Sequence, residues 1–195
     1  MAMTAGETKR ALRAQALARR DALDPAWRIE ASLAFAQRAA EIAPPSGTVV
    51  SGFWPIRSEV DVRPLMAALA ERGARLCLPA ILDRTTIVFR ELLRGAPLVD
   101  MGFGTRGPGE AAAELEPEVM LVPLAAFDRR GHRIGYGAGY YDRAIARLRA
   151  RGRAGRLIGI AFDCQAVERV PEEPHDIRIP EILTESGLHR FPEAG

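Results

Sequence analysis

Residues 119–124 are apolar without exception. A strand with no polar face must be covered on both sides, which is the condition of a parallel sheet enclosed by helices. Four further short runs read as strands, 48–54, 75–81, 86–92 and 157–162, with a turn centred on Asp83 joining the second and third. Helical patterns alternate with them. Residues 7–23 are rich in Ala, Leu and Arg and contain no Gly or Pro, which favours a helix by propensity. Asp24-Pro25 reads as an N-cap followed by proline at the first helical position. It opens an amphipathic helix with Ile29, Leu33, Ala36 and Ala40 on its apolar face, stopping before Pro44-Pro45. Leu65, Met66 and Leu69 mark a short helix ended by Gly73. Residues 140–151 form a helix with Tyr141, Ile145 and Leu148 inward and Arg143, Arg147 and Arg151 outward, and the glycine- and acid-rich 99–116 reads as a loop. The alternation predicts an α/β fold, a mostly parallel central sheet sandwiched by helices. No repeat or long linker divides the 195 residues, so one domain over 1–195 is expected. Ligands in such folds sit beyond the carboxyl ends of the strands, which singles out the loops after Trp54, Leu124 and Phe162.

The longest apolar run, 119–127, is interrupted in character by Pro123 and is about half of the roughly 18 residues a membrane helix needs. The N-terminal segment lacks the apolar stretch and cleavage site of a secretion signal, and Cys77 and Cys164 are too far apart in sequence for a CxxC pair. A cytoplasmic, membrane-free monomer without disulfides is therefore expected. A net charge of +2 argues against bulk nucleic-acid binding. The charge is unevenly distributed, because 129–156 carries nine arginines against one acid, Asp142, while the chain from Glu172 onward is acidic. A basic region beside a glycine-rich turn suits a small polyanion, and an arginine-rich solvated helix is the plain alternative.

Arg133-Ile134-Gly135-Tyr136-Gly137-Ala138-Gly139-Tyr140-Tyr141-Asp142 lies between a strand and a helix. Glycines at alternate positions let backbone N–H groups approach an anion, and the following helix points its positive end at it. Asp142, in the first helical turn, suits Mg²⁺, which takes carboxylate, phosphate and water oxygens. A tight loop with no ligand explains the glycines equally well, and the spacing matches neither a Walker loop nor a dinucleotide fingerprint. Trp54 and Glu59, after a strand, can stack on a flat heterocycle and accept its N–H groups; a core tryptophan and a capping glutamate are the alternative. Lys9 and Arg13 share one helical face, in Lys9-Arg10-Ala11-Leu12-Arg13, and either meet a triphosphate or form a solvated face. Lys9 is the only lysine among 27 basic residues; chance retention explains a single residue more simply, and a site needing a compact ammonium is the alternative. Asp176, after His175, reads as a second metal carboxylate or as a turn residue.

Taken together, these segments resemble the 5-formyltetrahydrofolate cyclo-ligase family over essentially the whole chain. The resemblance rests on Lys9-Arg10-x-Leu12-Arg13, on Pro55-x-x-x-Glu59-Val60-Asp61, on Val122-Pro123 and Phe127-Asp128, on Gly131-x-Arg133-Ile134-Gly135-x-Gly137-x-Gly139-Tyr140-Tyr141-Asp142-Arg143, and on His175-Asp176 with Thr184-Glu185. It implies a three-layer α/β/α sandwich. It also implies an enzyme that uses ATP and Mg²⁺ to convert 5-formyltetrahydrofolate, with or without a polyglutamate tail, to 5,10-methenyltetrahydrofolate, releasing ADP and phosphate. By the same resemblance, Lys9 to Arg13 and Arg133 to Tyr141 bind ATP. Trp54, Glu59 and Tyr136 to Tyr140 bind the folate, and Asp142 and Asp176 hold Mg²⁺. Lys9, Arg133 and Tyr140 are expected to act on the reacting groups. Trp54 is larger than the family pattern leads one to expect, which implies a reshaped folate pocket. The formyl oxygen is expected to be phosphorylated and then displaced by N10, a route that relies on positioning and charge rather than a protein nucleophile. Three other readings stay open: a related enzyme acting on phosphosugars or acyl-CoA, a non-catalytic nucleotide- or RNA-binding module, and a folate-site paralogue with a different task.

Overall fold

A computed structural model describes residues 4–153, 155–174 and 176–192. In chain order the elements are α1 (Ala5–Asp21), α2 (Pro25–Gln37), α3 (Ala39–Ile42), β1 (Val49–Ser51), α4 (Arg63–Glu71), β2 (Arg75–Ile81), β3 (Ile87–Glu91), β4 (Leu98–Gly102) and β5 (Thr105–Pro108). They continue with β6 (Val119–Pro123), β7 (Ala126–Phe127), β8 (Arg133–Ile134), α5 (Tyr140–Ala150), β9 (Arg156–Ile160), a 3₁₀ turn (Asp163–Gln165), β10 (Glu181–Thr184) and β11 (Gly187–Arg190).

Seven strands form one sheet in the order β11-β10-β9-β6-β1-β2-β3. The five inner strands run parallel, and β11 and β3 close the edges antiparallel. Successive residues of β6 alternate between two cores. Met120 and Val122 pack with Ala144, Ile145 and Leu148 of α5. Leu121 packs with Phe35, Ile42, Leu65 and Leu69 of α2, α3 and α4. The all-apolar strand is thus covered on both faces, and the expected three layers are present. Among the described residues no helix is long and apolar enough to cross a membrane, and Cys77 and Cys164 are unpaired thiols.

Local chemistry explains where the elements begin. Thr4 and Glu7 form a reciprocal capping box at the start of α1, which satisfies orphan donors of the first turn. Asp24 caps α2 through the Trp27 N–H at 2.9 Å, with Pro25 first in the helix. The Asp83 carboxylate accepts the Thr85 and Thr86 amides at 2.7 and 2.9 Å and so fixes the β2–β3 turn.

Three expectations are corrected. The apolar face of α2 is not the one formed by Ile29, Leu33, Ala36 and Ala40. Ile29 and Leu33 are 64% and 56% exposed, while Ala31, Ser32 and Phe35 are buried. Small Ala31 and Ser32 let the neighbouring segment approach closely enough for the Asp61 N–H to reach Ser32 Oγ at 3.0 Å, and Phe35 meets the edge of Phe162. Residues 99–116 are not a plain loop but carry the antiparallel β4–β5 hairpin. Its turn, Gly102-Phe103-Gly104, is left-handed throughout, so the glycines that suggest a loop are there to reverse the chain. Arg143 and Arg147 point outward but are not simply solvated. Arg143 Nε donates to the Thr85 carbonyl at 2.7 Å, and Arg147 donates to the Ile87 carbonyl, fastening α5 to the sheet edge.

Candidate active site

Because β1, β6 and β9 are parallel neighbours, the loops after Trp54, Leu124 and Phe162 emerge along one edge of the sheet, as expected from their positions. α1 crosses that edge. Arg19 Nε donates to the Cys164 carbonyl at 2.7 Å, and Ala16 packs with Ala126, Ile134 and Val170. The β7–β8 hairpin sets the height of the glycine turn. Buried Asp128 accepts the Arg130 and Val170 amides, both at 2.9 Å. Burial raises its pKa, but these amides and the Arg130 guanidinium outweigh that and hold it below the ordinary value.

The glycine turn follows β8. Gly137 and Gly139 have φ of +101° and +67°, a left-handed region in which a Cβ is strained. Gly139 precedes α5 with no side-chain cap, so the amides of the first turn are left for another acceptor. The turn is held by arginines on its carbonyls: Arg13 Nε on Gly135 at 2.7 Å and an Arg143 amino group on Ala138 at 2.6 Å. Tyr140 donates to the Asp83 carbonyl at 3.2 Å. The Tyr141 hydroxyl is buried without a partner among the described residues, and burial holds its pKa well above that of an ordinary phenol. Ile134 is a core residue.

Arg133 is 8% exposed and pairs with Asp142 at 2.9 Å while also donating to the Ile177 carbonyl. The Ile177 amide returns to the same Asp142 oxygen at 3.2 Å. Asp142 and the segment that carries Asp176 are thus stitched together beside the turn. Lys9 Nζ lies 2.5 Å from Asp176 and 2.6 Å from Glu173. Burial lowers its pKa, but the two carboxylates together outweigh burial and hold it above the ordinary value. Arg13 shares the inner face of α1 with Lys9. Leu12 packs against the small core beneath the turn, Ala11 is half-buried, and Arg10 faces solvent. His175 lies outside the described residues.

The opposite wall is the loop after β1. Trp54 is half-buried against the core, with the Arg63 guanidinium 5.0 Å from its ring centre. Glu59 is not a helix cap; its carboxylate accepts the Ile56 N–H at 2.8 Å and lies beside the Tyr136 hydroxyl, while burial pushes its pKa up. Tyr136 therefore joins the two walls. The residue is 37% exposed, and its hydroxyl accepts from Arg20 at 2.5 Å.

Sequence reasoning missed Arg20 and Ser58, which bond to each other beside Tyr136. Arg20 is hidden among several arginines, yet it follows Arg13 by seven positions and so falls on the same helical face. Phe103, 79% exposed, tips the β4–β5 hairpin next to Gly104, the residue that approaches Ile56 of the Glu59 loop.

The sequence model of the 5-formyltetrahydrofolate cyclo-ligase family matches residues 5–185. The 5-formyltetrahydrofolate cyclo-ligase of Mycolicibacterium smegmatis is 34% identical over 147 residues, covering 71% of this chain and 74% of that protein. The Escherichia coli protein of the same name is 31% identical over 143 residues, covering 70% and 78%. Among solved structures, the 5,10-methenyltetrahydrofolate synthetase of Aquifex aeolicus is similar at a TM-score of 0.78 and 28% identity, covering 96% of this chain and 94% of that one. The corresponding Mycoplasma pneumoniae protein gives 0.71 and 26%, covering 89% and 96%. With its three layers, its glycine turn and its arginine-bearing first helix, the chain belongs to the 5-formyltetrahydrofolate cyclo-ligase family.

Proposed function

We propose that the protein converts 5-formyltetrahydrofolate to 5,10-methenyltetrahydrofolate at the expense of ATP, with Mg²⁺. The observation that carries this reading is the gathering of Arg13 on the Gly135 carbonyl, Arg133 on Asp142 at the start of α5 and Lys9 on the segment joined to Asp142 through Ile177, with Glu59 beside Tyr136 of the same turn. Membership of the family and the activity for which the relatives are named support it.

The donor chemistry fits both groups. Among the described residues no cluster of three or more His, Cys, Asp or Glu side chains can hold a metal. Mg²⁺, however, is commonly held by one or two carboxylates together with substrate phosphates and water, and Asp142 and Asp176 flank the turn on one side. Uncapped amides at the start of α5 and the Arg13 guanidinium suit a triphosphate. When bound, ATP and Mg²⁺ supply the phosphoryl group that turns a formyl oxygen into a leaving group, so that N10 can close the ring. Arg13, Arg133 and Lys9 would neutralise phosphate charge, and Arg133 also holds Asp142 in place. The Tyr140 and Tyr141 rings, fixed by Asp83 and by the core, would exclude water from the junction of the two substrates. Glu59 would accept hydrogen bonds from the folate ring and Trp54 would pack against it. No protein nucleophile is required, because such a transfer depends on positioning and charge.

Methenyltetrahydrofolate formation from 5-formyltetrahydrofolate, followed by absorbance with and without ATP and Mg²⁺, tests the reading. Product that depends on both is the expected result. Folded protein that forms no product under any of these conditions overturns it.

A further inference from the structure

Arg20 has no place in the reaction just described, yet at 2% exposure it is the most buried basic side chain among the described residues. Burying a guanidinium is costly unless its donors are used, and a helix that only had to fill this space would carry an apolar residue. Its contacts have a direction. Nε donates to Ser58 Oγ at 2.9 Å, one terminal nitrogen donates to the Tyr136 hydroxyl at 2.5 Å, and the guanidinium lies 5.8 Å from the Tyr136 ring centre. Arginine has only donors. The two hydroxyl oxygens must therefore accept, and their own protons must turn away from Arg20. Each then turns toward a carboxylate: Ser58 donates to Asp21, and the Tyr136 hydroxyl lies beside Glu59, whose charge adds to burial in raising the phenol pKa. One cation thus sets the direction of two O–H bonds, and one of them is aimed toward the carboxylate facing the substrate.

We propose that Arg20 is a positioning residue: by obliging the Tyr136 hydroxyl to donate to Glu59, it fixes the orientation of that carboxylate and ties the 54–61 loop to the glycine turn. A carboxylate held by the Ile56 N–H on one side and the phenol on the other has one way left to face a ligand. Without Arg20 the phenol is free to rotate, and Glu59 loses its second support while the phosphate-side contacts of Arg13 and Arg133 stay in place. The effect is therefore on folate and not on nucleotide. The inference rests on the folate reading of the Glu59 loop.

The test combines kinetics with an observable independent of turnover. The chain has three tyrosines, so protein labelled with ¹³C at the tyrosine Cζ gives three signals, and Tyr136→Phe identifies one of them. Arg20→Lys, which keeps a charge but cannot bond both oxygens with a fork, is expected to shift the Tyr136 signal, as is Glu59→Gln. The KM for 5-formyltetrahydrofolate should rise roughly fivefold or more in Arg20→Lys while the KM for ATP stays within about twofold. Residues acting through one another are non-additive, so Arg20→Lys combined with Tyr136→Phe should be no worse than the more severe single variant. Multiplying effects, or a KM for ATP that rises in step with that for folate, overturn the proposal. If the Arg20 variants do not fold, Tyr136→Phe and Ser58→Ala decide it: the first must raise the folate KM alone, and the second must shift the Tyr136 signal. An unmoved Tyr136 signal overturns the Arg20 contact whatever the activity, whereas a wild-type protein without turnover overturns the folate reading instead.

Discussion

The two walls of the site hold their charges by different means. On the glycine wall, Arg13 and Arg143 rest on the backbone carbonyls of Gly135 and Ala138. A carbonyl satisfies an N–H bond but cancels no formal charge. Lys9 and Arg133, on the same wall, sit directly against carboxylates. On the loop wall the contrast repeats with the sign reversed. Glu59 is held by an amide and a phenol, while Asp61 is closed off by a two-pronged contact with Arg63. Charges supported by neutral dipoles remain available to a ligand; charges inside an ion pair must first give up their partner. The comparison ranks the residues, placing Arg13 and Glu59 ahead of Lys9 and Asp61 for ligand contact.

The largest effect should come from the backbone that both walls depend on. Gly139→Val puts a β-branched residue at φ +67°, a strain of about 1–2 kcal/mol and a loss of roughly 2–8 °C in Tm for a chain of this size. The loss of kcat should be about 100-fold or more, as for removal of a preorganised donor. Melting curves beside turnover measurements check this, and outright unfolding would assign the turn to structure alone.

Glu59→Gln comes next. A lost charge-assisted bond of roughly 1.5–3 kcal/mol corresponds to about 10- to 150-fold in folate affinity, with the KM for ATP little changed. Loss of ATP binding with folate spared would break the assignment of the walls. The same variant should not lose stability at neutral pH. Burial raises the pKa of Glu59 in the folded protein, so its ionised form is a stability cost above that folded pKa. The cost is relieved as pH falls through the folded pKa toward the ordinary value, where the wild type gains relative to the unfolded chain. The glutamine variant lacks that gain, which Tm measured against pH will report.

Arg13→Ala and Lys9→Ala sharpen the contrast within one wall. Arg13→Ala should raise the KM for ATP roughly tenfold or more. Lys9→Ala should raise it severalfold at most, because its charge is already shared with Glu173 and Asp176; about 1 kcal/mol is roughly fivefold. Lys9→Arg should restore part of the loss. A larger effect at Lys9 than at Arg13 would overturn the ranking. Ile29→Ser, far from both walls, should change stability by less than about 0.5 kcal/mol, whereas Phe35→Ala on the buried face of the same helix should cost about 3–5 kcal/mol.

Those last two residues also show what the sequence made legible. The sheet was readable because residues 119–124 leave no polar face, and the order of strand and helix follows from Asp24-Pro25, Gly73 and the Asp83 turn. The face of α2 was not readable, because Ile29 and Leu33 obey helical spacing as well as Ala31 and Phe35 do; the choice is made by a close approach that only Ala31 and Ser32 permit. In the site, the sequence identifies residue types around the turn but not who neutralises whom. That Lys9 meets Asp176, and that Arg20 reaches Ser58 and Tyr136, depends on contacts spanning 167, 38 and 116 positions.

The reach of α1 also bears on how the protein is made. This helix leaves the ribosome before every other described element, but its docking partners Cys164, Glu173 and Asp176 follow 145 to 167 positions behind the residues they bind. At about 5–20 residues per second of synthesis, Lys9 and Arg19 wait roughly 10–30 s for these partners, although Ser58, Ala126 and Gly135 reach the inner face of α1 earlier. A nascent or truncated chain lacks the pairing of Lys9 beside the glycine turn until the stretch carrying Glu173 and Asp176 has emerged. The Lys9 side of the charged wall is therefore among the last parts of the fold to form, long after the helix that carries it.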